Sequence, residues 1–241
     1  NFFALAGSSL SAVRLAFAIQ ERFSIDLSVR ELFEYSGLAV QAGLIATKER
    51  LAALPVVSAV VRDGQPLALS FAQQRLWFID QLTQGSAQYN MPIALRLEGE
   101  LQVDALHAAF SEIVQRHEVL RTIYATAATG EASQRILPVD VLPLVSVDLS
   151  GLPEEEREAE VLRLAETDAL TPFRLDQDLM VRVSLIALDA KTHVLLFNMH
   201  HIASDGWSMR VLMEELVQLY AAFVRGQSSP LSPLAIQYAD F

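Results

Sequence analysis

Apolar residues recur along this chain with two different periods, and the change from one to the other divides it. In residues 1–50, Leu10, Val13 and Phe17 fall at i, i+3 and i+7. With Ser8 or Ser9 standing where an N-cap would, this spacing predicts an amphipathic helix. Asp26-Leu27-Ser28 then leads into a short apolar piece, Val29 to Phe33, which stops at Ser36-Gly37. A further amphipathic helix is predicted through Val40, Leu44 and Ile45 towards Leu51. These segments make a small all-helical unit whose apolar surface is slight for a whole domain, so a first helix upstream is expected. Residues 52–67, containing Pro55, Gly64 and Pro66, read as a linker.

Residues 68–241 mix the two periods. Phe71 to Leu82 is predicted as a helix, and Met91 to Glu98 alternates like a strand. Val103, Leu106, Phe110, Ile113 and Val114 make one helical face, with a strand expected over Leu120 to Tyr124. Residues 154–170 read as a helix. Val181 to Leu185 and His193 to Met199 read as strands of an antiparallel hairpin around Asp189-Ala190-Lys191, and Gly206 to Phe223 as a long amphipathic helix. Strands mixed with helices predict an α/β sandwich lobe.

Composition narrows the function classes. A net charge of −11 argues against nucleic acid and anionic membrane surfaces as partners. The first 50 residues carry five Lys/Arg and five Asp/Glu, so the imbalance belongs to the later segment. Part of it is Glu154-Glu155-Glu156-Arg157-Glu158 after Pro153, which reads as a solvated helix start rather than a recognition site. Cysteine is absent, which removes disulfides and thiolate catalysis and fits a reducing, cytoplasmic compartment. No apolar run is long enough to span a bilayer.

The residues that carry chemistry lie at a strand end. His200 and His201 follow a Leu-, Phe- and Val-rich strand, where successive side chains face opposite ways. One histidine therefore faces a given cavity while the other packs inside, and no metal site is expected, since no third nearby His or Cys gives zinc spacing. Asp205 and Gly206 follow in a tight turn. A buried aspartate there requires a cation or backbone donors, and it can fix a neighbouring imidazole's tautomer. Trp77 and Trp207 are read as core, and Arg116-His117-Glu118 as the end of an amphipathic helix whose basic residue complements the helix C-terminus, rather than as the source of a second catalytic histidine.

His200-His201-Ile202-Ala203-Ser204-Asp205-Gly206-Trp207-Ser208 resembles the signature of nonribosomal peptide synthetase condensation domains. Three further stretches match in the family's order. Ser70-Phe71-Ala72-Gln73-Gln74-Arg75-Leu76-Trp77 resembles the first core motif, and Arg116-His117-Glu118-Val119-Leu120-Arg121-Thr122 the second. Ile236-Gln237-Tyr238-Ala239-Asp240-Phe241 is similar to the start of the fourth. Asn1 to Leu10 resembles the attachment motif of peptidyl carrier domains, with Ser9 at the modified serine. Ala6 and Ser8 stand where Gly and His or Asp are usual.

The resemblance implies a partial carrier at 1–51, a linker at 52–67 and the N-terminal lobe of a condensation domain at 68–241. The implied fold is a helical bundle followed by a lobe similar to chloramphenicol acetyltransferase. It implies 4′-phosphopantetheine on Ser9 and amide formation between a donor acyl thioester and an acceptor aminoacyl thioester. His201 is the implied catalytic residue, with Asp205 and Gly206 beside it. His200 is structural, and Arg75 either pairs with Asp205 or lines the substrate tunnel. The implied partners are adenylation and downstream carrier domains and a phosphopantetheinyl transferase; the implied product class is an antibiotic or siderophore. With one lobe present, the chain is expected to be inactive alone. An epimerization domain of the same fold and a non-catalytic docking module are the alternatives.

Overall fold

The computed structural model describes residues 9–48, 57–83, 85–126, 130–139 and 141–241. The chain divides into two compact units, residues 1–56 and 57–241.

In the first unit, helices α1 (Ser9–Phe23), α2 (Val29–Glu34) and α3 (Leu38–Thr47) enclose a small core of Ala12, Ile19, Ile25, Leu27 and Leu32. Two of the residues whose spacing predicts α1 do not belong to its buried stripe. Val13 and Phe17 are 36% and 67% exposed, whereas Ala12, Leu15 and Ile19 turn inward. Both triplets satisfy i, i+3, i+7, so periodicity alone could not choose between them. Ser24, at φ 56°, ends α1 in the left-handed region. A capping box starts α2: Ser28 Oγ accepts from the Glu31 N–H, and the Glu31 carboxylate accepts from the Ser28 N–H. Lys48 Nζ, just past α3, donates to Glu31 and to the Asp26 carbonyl at 2.8 and 2.7 Å, closing the unit.

The second unit is a three-layer lobe. Its main sheet has the order β2 (Asn90–Glu98), β7 (Thr192–His200), β6 (Val181–Ala187), β5 (Leu144–Asp148). Neighbours pair antiparallel, except β5 with β6, which α6 (Glu154–Leu170) joins as a parallel crossover. Alternation sorts the layers. Leu195, Phe197 and Met199 of β7 and Val181, Val183 and Leu185 of β6 pack against α5 (Val103–Arg116) and α7 (Gly206–Val224). Val194, Leu196 and Ile186 face α6 through Val161 and Leu164. Because both faces of β7 are covered, its last eight residues are all buried.

A smaller sheet, β1 (Leu67–Ala68), β4 (Ala132–Ile136) and β3 (Thr122–Thr126), sits beside α4 (Phe71–Thr83). The apolar spacing places Leu120 at the start of a strand. Instead Glu118–Arg121 form a 3-10 turn, with the Leu120 N–H bonded to the His117 carbonyl, and β3 begins at Thr122. The stretch before β1 is tied to this unit. Arg62 forms ion pairs with Glu118 and Asp240 at 2.8 Å each, and Asp240 Oδ1 accepts from the Val60 N–H.

Candidate active site

The end of β7 separates the two histidines. His200, still in register opposite Asn90, points inward and is 1% exposed. It lies edge-on to Tyr89 and Phe173, and its Nδ1 accepts from the Ile202 N–H at 3.1 Å. Accepting at Nδ1 requires the bare nitrogen there. Burial, reinforced by the neighbouring His201, pushes the His200 pKa down to about 4, so the ring is neutral at physiological pH.

His201 leaves the strand and is exposed. Its backbone N–H donates to the Tyr89 carbonyl, and its Nδ1 lies 2.6 Å from the Ser204 carbonyl oxygen. A carbonyl only accepts, so Nδ1 carries the proton and Nε2 keeps its lone pair in the neutral ring. His201 lines a cavity of about 470 Å³, whose wall also includes Arg75, His117, Ser204, Asp205 and Tyr238.

Asp205 does not meet the requirement set out for a buried aspartate, because it is exposed. It is the N-cap of α7, and its Oδ1 accepts from the Ser208 N–H at 2.8 Å and the Ser208 hydroxyl at 2.7 Å. Those two bonds hold its carboxyl below the ordinary carboxylate pKa. The tautomer of His201 is therefore set by Ser204, not by Asp205. Gly206 opens α7, and a Cβ built there would meet no atom within 4 Å. Packing among the described residues thus does not demand a glycine at that position.

Arg75 lines the cavity with Asp205, but among the described residues no ion pair joins them. Its neighbours in the motif are structural. Gln73, 1% exposed, exchanges hydrogen bonds with Ser70 at the start of α4 and donates from Nε2 to the Tyr124 hydroxyl. Trp77 packs against the core as expected, whereas Trp207 is 73% exposed. The Arg210 guanidinium lies over its ring, 5.9 Å from the centroid, but leaves it largely open to solvent, and apolarity alone does not assign a side chain inward.

Two neighbours of the candidate site escaped the sequence. Glu215, in the middle of α7, is buried; its Oε1 accepts from Arg116 Nε at 2.9 Å, and its Oε2 lies 2.6 Å from His117 Nε2. Arg116 and His117 are therefore not free complements of a helix end but a clamp joining α5 to α7. The signal was present: Glu215 stands on the Leu212-Leu216-Leu219 face, where a lone carboxylate needs a cation. The other is Ser204, whose contribution is a backbone carbonyl that no side-chain pattern advertises.

The attachment motif Asn1 to Ser8 and the side chain of Ser9 lie outside the described residues. Ser9 is nonetheless the first residue of α1, whose first turn carries no acidic residue. A phosphodiester on that serine would meet a helix N-terminus free of like charge in that turn, so the position fits a phosphopantetheine arm.

Two family models match the chain. The condensation domain covers residues 64–241, and the phosphopantetheine attachment site covers residues 1–45. The chain belongs to the condensation-domain family. Among curated proteins, it is 46% identical to a linear gramicidin synthase of Brevibacillus parabrevis and 43% identical to malpinin synthetase of Mortierella alpina. Each match covers 100% of this chain but only 5% and 3% of those proteins. Among solved structures, the first condensation domain of the CDA synthetase superposes with TM-score 0.63 at 27% identity, over 71% of this chain and 44% of that one. The X-domain in its complex with OxyB from teicoplanin biosynthesis gives 0.66 at 35%, over 78% and 39%. The condensation-domain lobe thus has the chloramphenicol acetyltransferase-like fold and follows, in sequence, a helical carrier with its phosphopantetheine attachment region. Among the described residues, no helix is long and apolar enough to cross a membrane.

Proposed function

We propose that this chain forms amide bonds during nonribosomal peptide synthesis, with His201 acting on the attacking amine. The observation that carries the reading is the imidazole held at Nδ1 by Ser204, which leaves Nε2 bare beside the cavity. The amine nitrogen of an acceptor aminoacyl thioester attacks the donor thioester carbon. The carbonyl becomes an oxyanion, and its collapse expels the thiol of the donor arm. The new C–N bond replaces the C–S bond, and one proton passes from nitrogen to sulfur. Bare Nε2 is suited to take that proton or to orient the N–H that carries it. The Gly206 backbone, with no side chain in front of it, is open to the oxyanion.

The phosphopantetheine arm, when bound to Ser9, supplies the thiol that carries the acyl group as a thioester. Family order makes this carrier the donor, loaded by an adenylation domain after a phosphopantetheinyl transferase has modified Ser9. The carrier occupies residues 1–51, the linker 52–67 and the condensation lobe 68–241. The acceptor is a downstream carrier, and the location is cytoplasmic.

Product analysis with the intact synthetase polypeptide carrying this chain and two loaded carriers tests the reading, since the chain by itself is expected to be inactive. A new amide on the acceptor carrier is expected; an inverted α-carbon without joining would show an epimerization domain instead. The likeness to an X-domain solved in complex with OxyB favours one second reading, a docking module, which forms neither product. Intact-mass analysis after treatment with a phosphopantetheinyl transferase and coenzyme A tests the carrier. One arm is expected on the chain and none on Ser9→Ala.

A further inference from the structure

His117 has a place in the same cavity that the proposed mechanism does not use. It follows the last residue of α5, and its side chain lines the His201 cavity as well as a smaller apolar cavity of about 150 Å³ beneath α7. Glu215 accepts from His117 Nε2, so that nitrogen carries the proton. The other Glu215 oxygen already faces the fixed cation of Arg116, so the carboxylate is charge-balanced before His117 is counted. His117 Nδ1 has no hydrogen-bond partner among the described residues. The arrangement mirrors His201: one ring nitrogen is anchored on an oxygen of the frame and the other is bare.

An amine poised to attack carries N–H groups that only acceptors can orient, and several polar groups on this wall are already held in hydrogen bonds of the frame. Gln73 Oε1 accepts from Ser70, and the Tyr238 hydroxyl is paired with Ser70 Oγ. Ser204 Oγ donates to the His200 carbonyl, and Ser208 Oγ donates to Asp205. Arg75 only donates. Of the ring nitrogens lining this wall, His201 Nε2 and His117 Nδ1 have no hydrogen-bond partner among the described residues. We propose that His117 is a second substrate-contacting histidine, whose Nδ1 accepts a hydrogen bond from the incoming amine and turns its lone pair towards the thioester. This rests on the reading that the cavity receives that amine.

The test is single-turnover amide formation in the intact synthetase polypeptide carrying this chain, with both carriers loaded. His117→Phe keeps a ring of similar size without an acceptor. Its rate is expected to fall roughly 10- to 100-fold, the weight of one hydrogen bond to a group that becomes charged. His117→Asn restores an oxygen near the Nδ1 position and is expected to recover most of that loss. Melting curves of both variants accompany the rates, because both lose the Glu215 contact. Equal impairment of the two variants assigns His117 a purely structural role and overturns the proposal, as does a wild-type rate in His117→Phe. His201→Ala is run alongside: if it is inactive while His117→Phe is unimpaired, only this proposal fails. If His201→Ala is fully active, the underlying reading fails with it.

Discussion

The Nδ1 of His201 and the carbonyl oxygen of Ser204 lie 2.6 Å apart, and this one contact sets the tautomer of the neutral imidazole, with the proton on Nδ1 and Nε2 bare. Ser204 is itself secured, because its hydroxyl donates to the His200 carbonyl and approaches Met91 Sδ at 3.3 Å. The buried histidine, the serine and the exposed histidine thus form one chain of support. His200 holds the turn through the Ile202 N–H, the turn holds Ser204, and Ser204 holds the His201 ring.

Removing the ring should therefore remove the chemistry without unfolding the lobe. His201→Ala is expected to lower the single-turnover rate by about 10²–10⁴-fold, the usual contribution of a positioned acid or base. Its melting temperature should change little, since the side chain is exposed. A His201→Ala enzyme that condenses loaded carriers at the wild-type rate would show that Nε2 has no part in the reaction.

Asp205 separates into two contributions. Asp205→Ala loses the N-cap of α7 and should cost about 1 kcal/mol of stability. Asp205→Asn keeps an oxygen for the Ser208 N–H and should stay within a few tenths of that of the wild type. Urea unfolding followed by tryptophan fluorescence reads the difference, since both tryptophans, Trp77 and Trp207, lie in residues 57–241. If Asp205→Asn also loses activity, the negative charge beside His201 matters beyond the cap.

What could be read from the sequence, and what could not, follows from the range of the forces involved. Periodicity placed α4, α5, α7 and the β6–β7 hairpin, because each carries its own apolar pattern, and Pro153 with the acidic residues after it marked the start of α6. It misplaced the start of β3, where short-range bonds from the Leu120 N–H to the His117 carbonyl and from the Thr122 hydroxyl to the Glu118 carbonyl close a 3-10 turn that apolar spacing does not register. That one histidine is buried and the other exposed agrees with the alternation expected, although the strand ends at His200 and His201 already stands in the turn. The anchor of His201 was not legible, because a backbone carbonyl leaves no mark on residue identity. Trp207 and the inward stripe of α1 were misjudged for a shared reason. Apolarity says that a side chain gains by burial, not that something stands over it.

His200 predicts a pH dependence. Its pKa falls from 6.5 to about 4 on folding, so between those values the unfolded chain binds more protons than the folded one. Stability therefore rises with pH across that window and is lost as pH falls from about 6.5 towards 4, by up to about 3 kcal/mol for this group. His200→Asn keeps an acceptor near the Ile202 N–H but does not titrate, so its stability should be flatter over the same range. The check is a series of unfolding curves from pH 4 to pH 7. Parallel profiles for the two proteins would show that His200 does not carry the dependence.

Glu215 offers the largest single effect on stability. Its carboxylate is 11% exposed and neutralises Arg116, while its second oxygen holds His117. Glu215→Leu leaves the Arg116 guanidinium, itself 13% exposed, facing an apolar side chain with no counter-charge. Breaking a buried pair from one side costs about 3–5 kcal/mol. Arg116 keeps its donation to the Ser232 carbonyl, so the lower end of that range is the closer estimate. Replacing both partners, as in Arg116→Met with Glu215→Leu, removes the uncompensated charge and should recover most of the loss. The double-mutant cycle by urea unfolding decides between two accounts of the site. Strong coupling is expected if the ion pair is the clamp between α5 and α7. Additive losses would place the stabilisation in the packing of the two helices, and the charges would then serve only to hold His117 at the cavity wall.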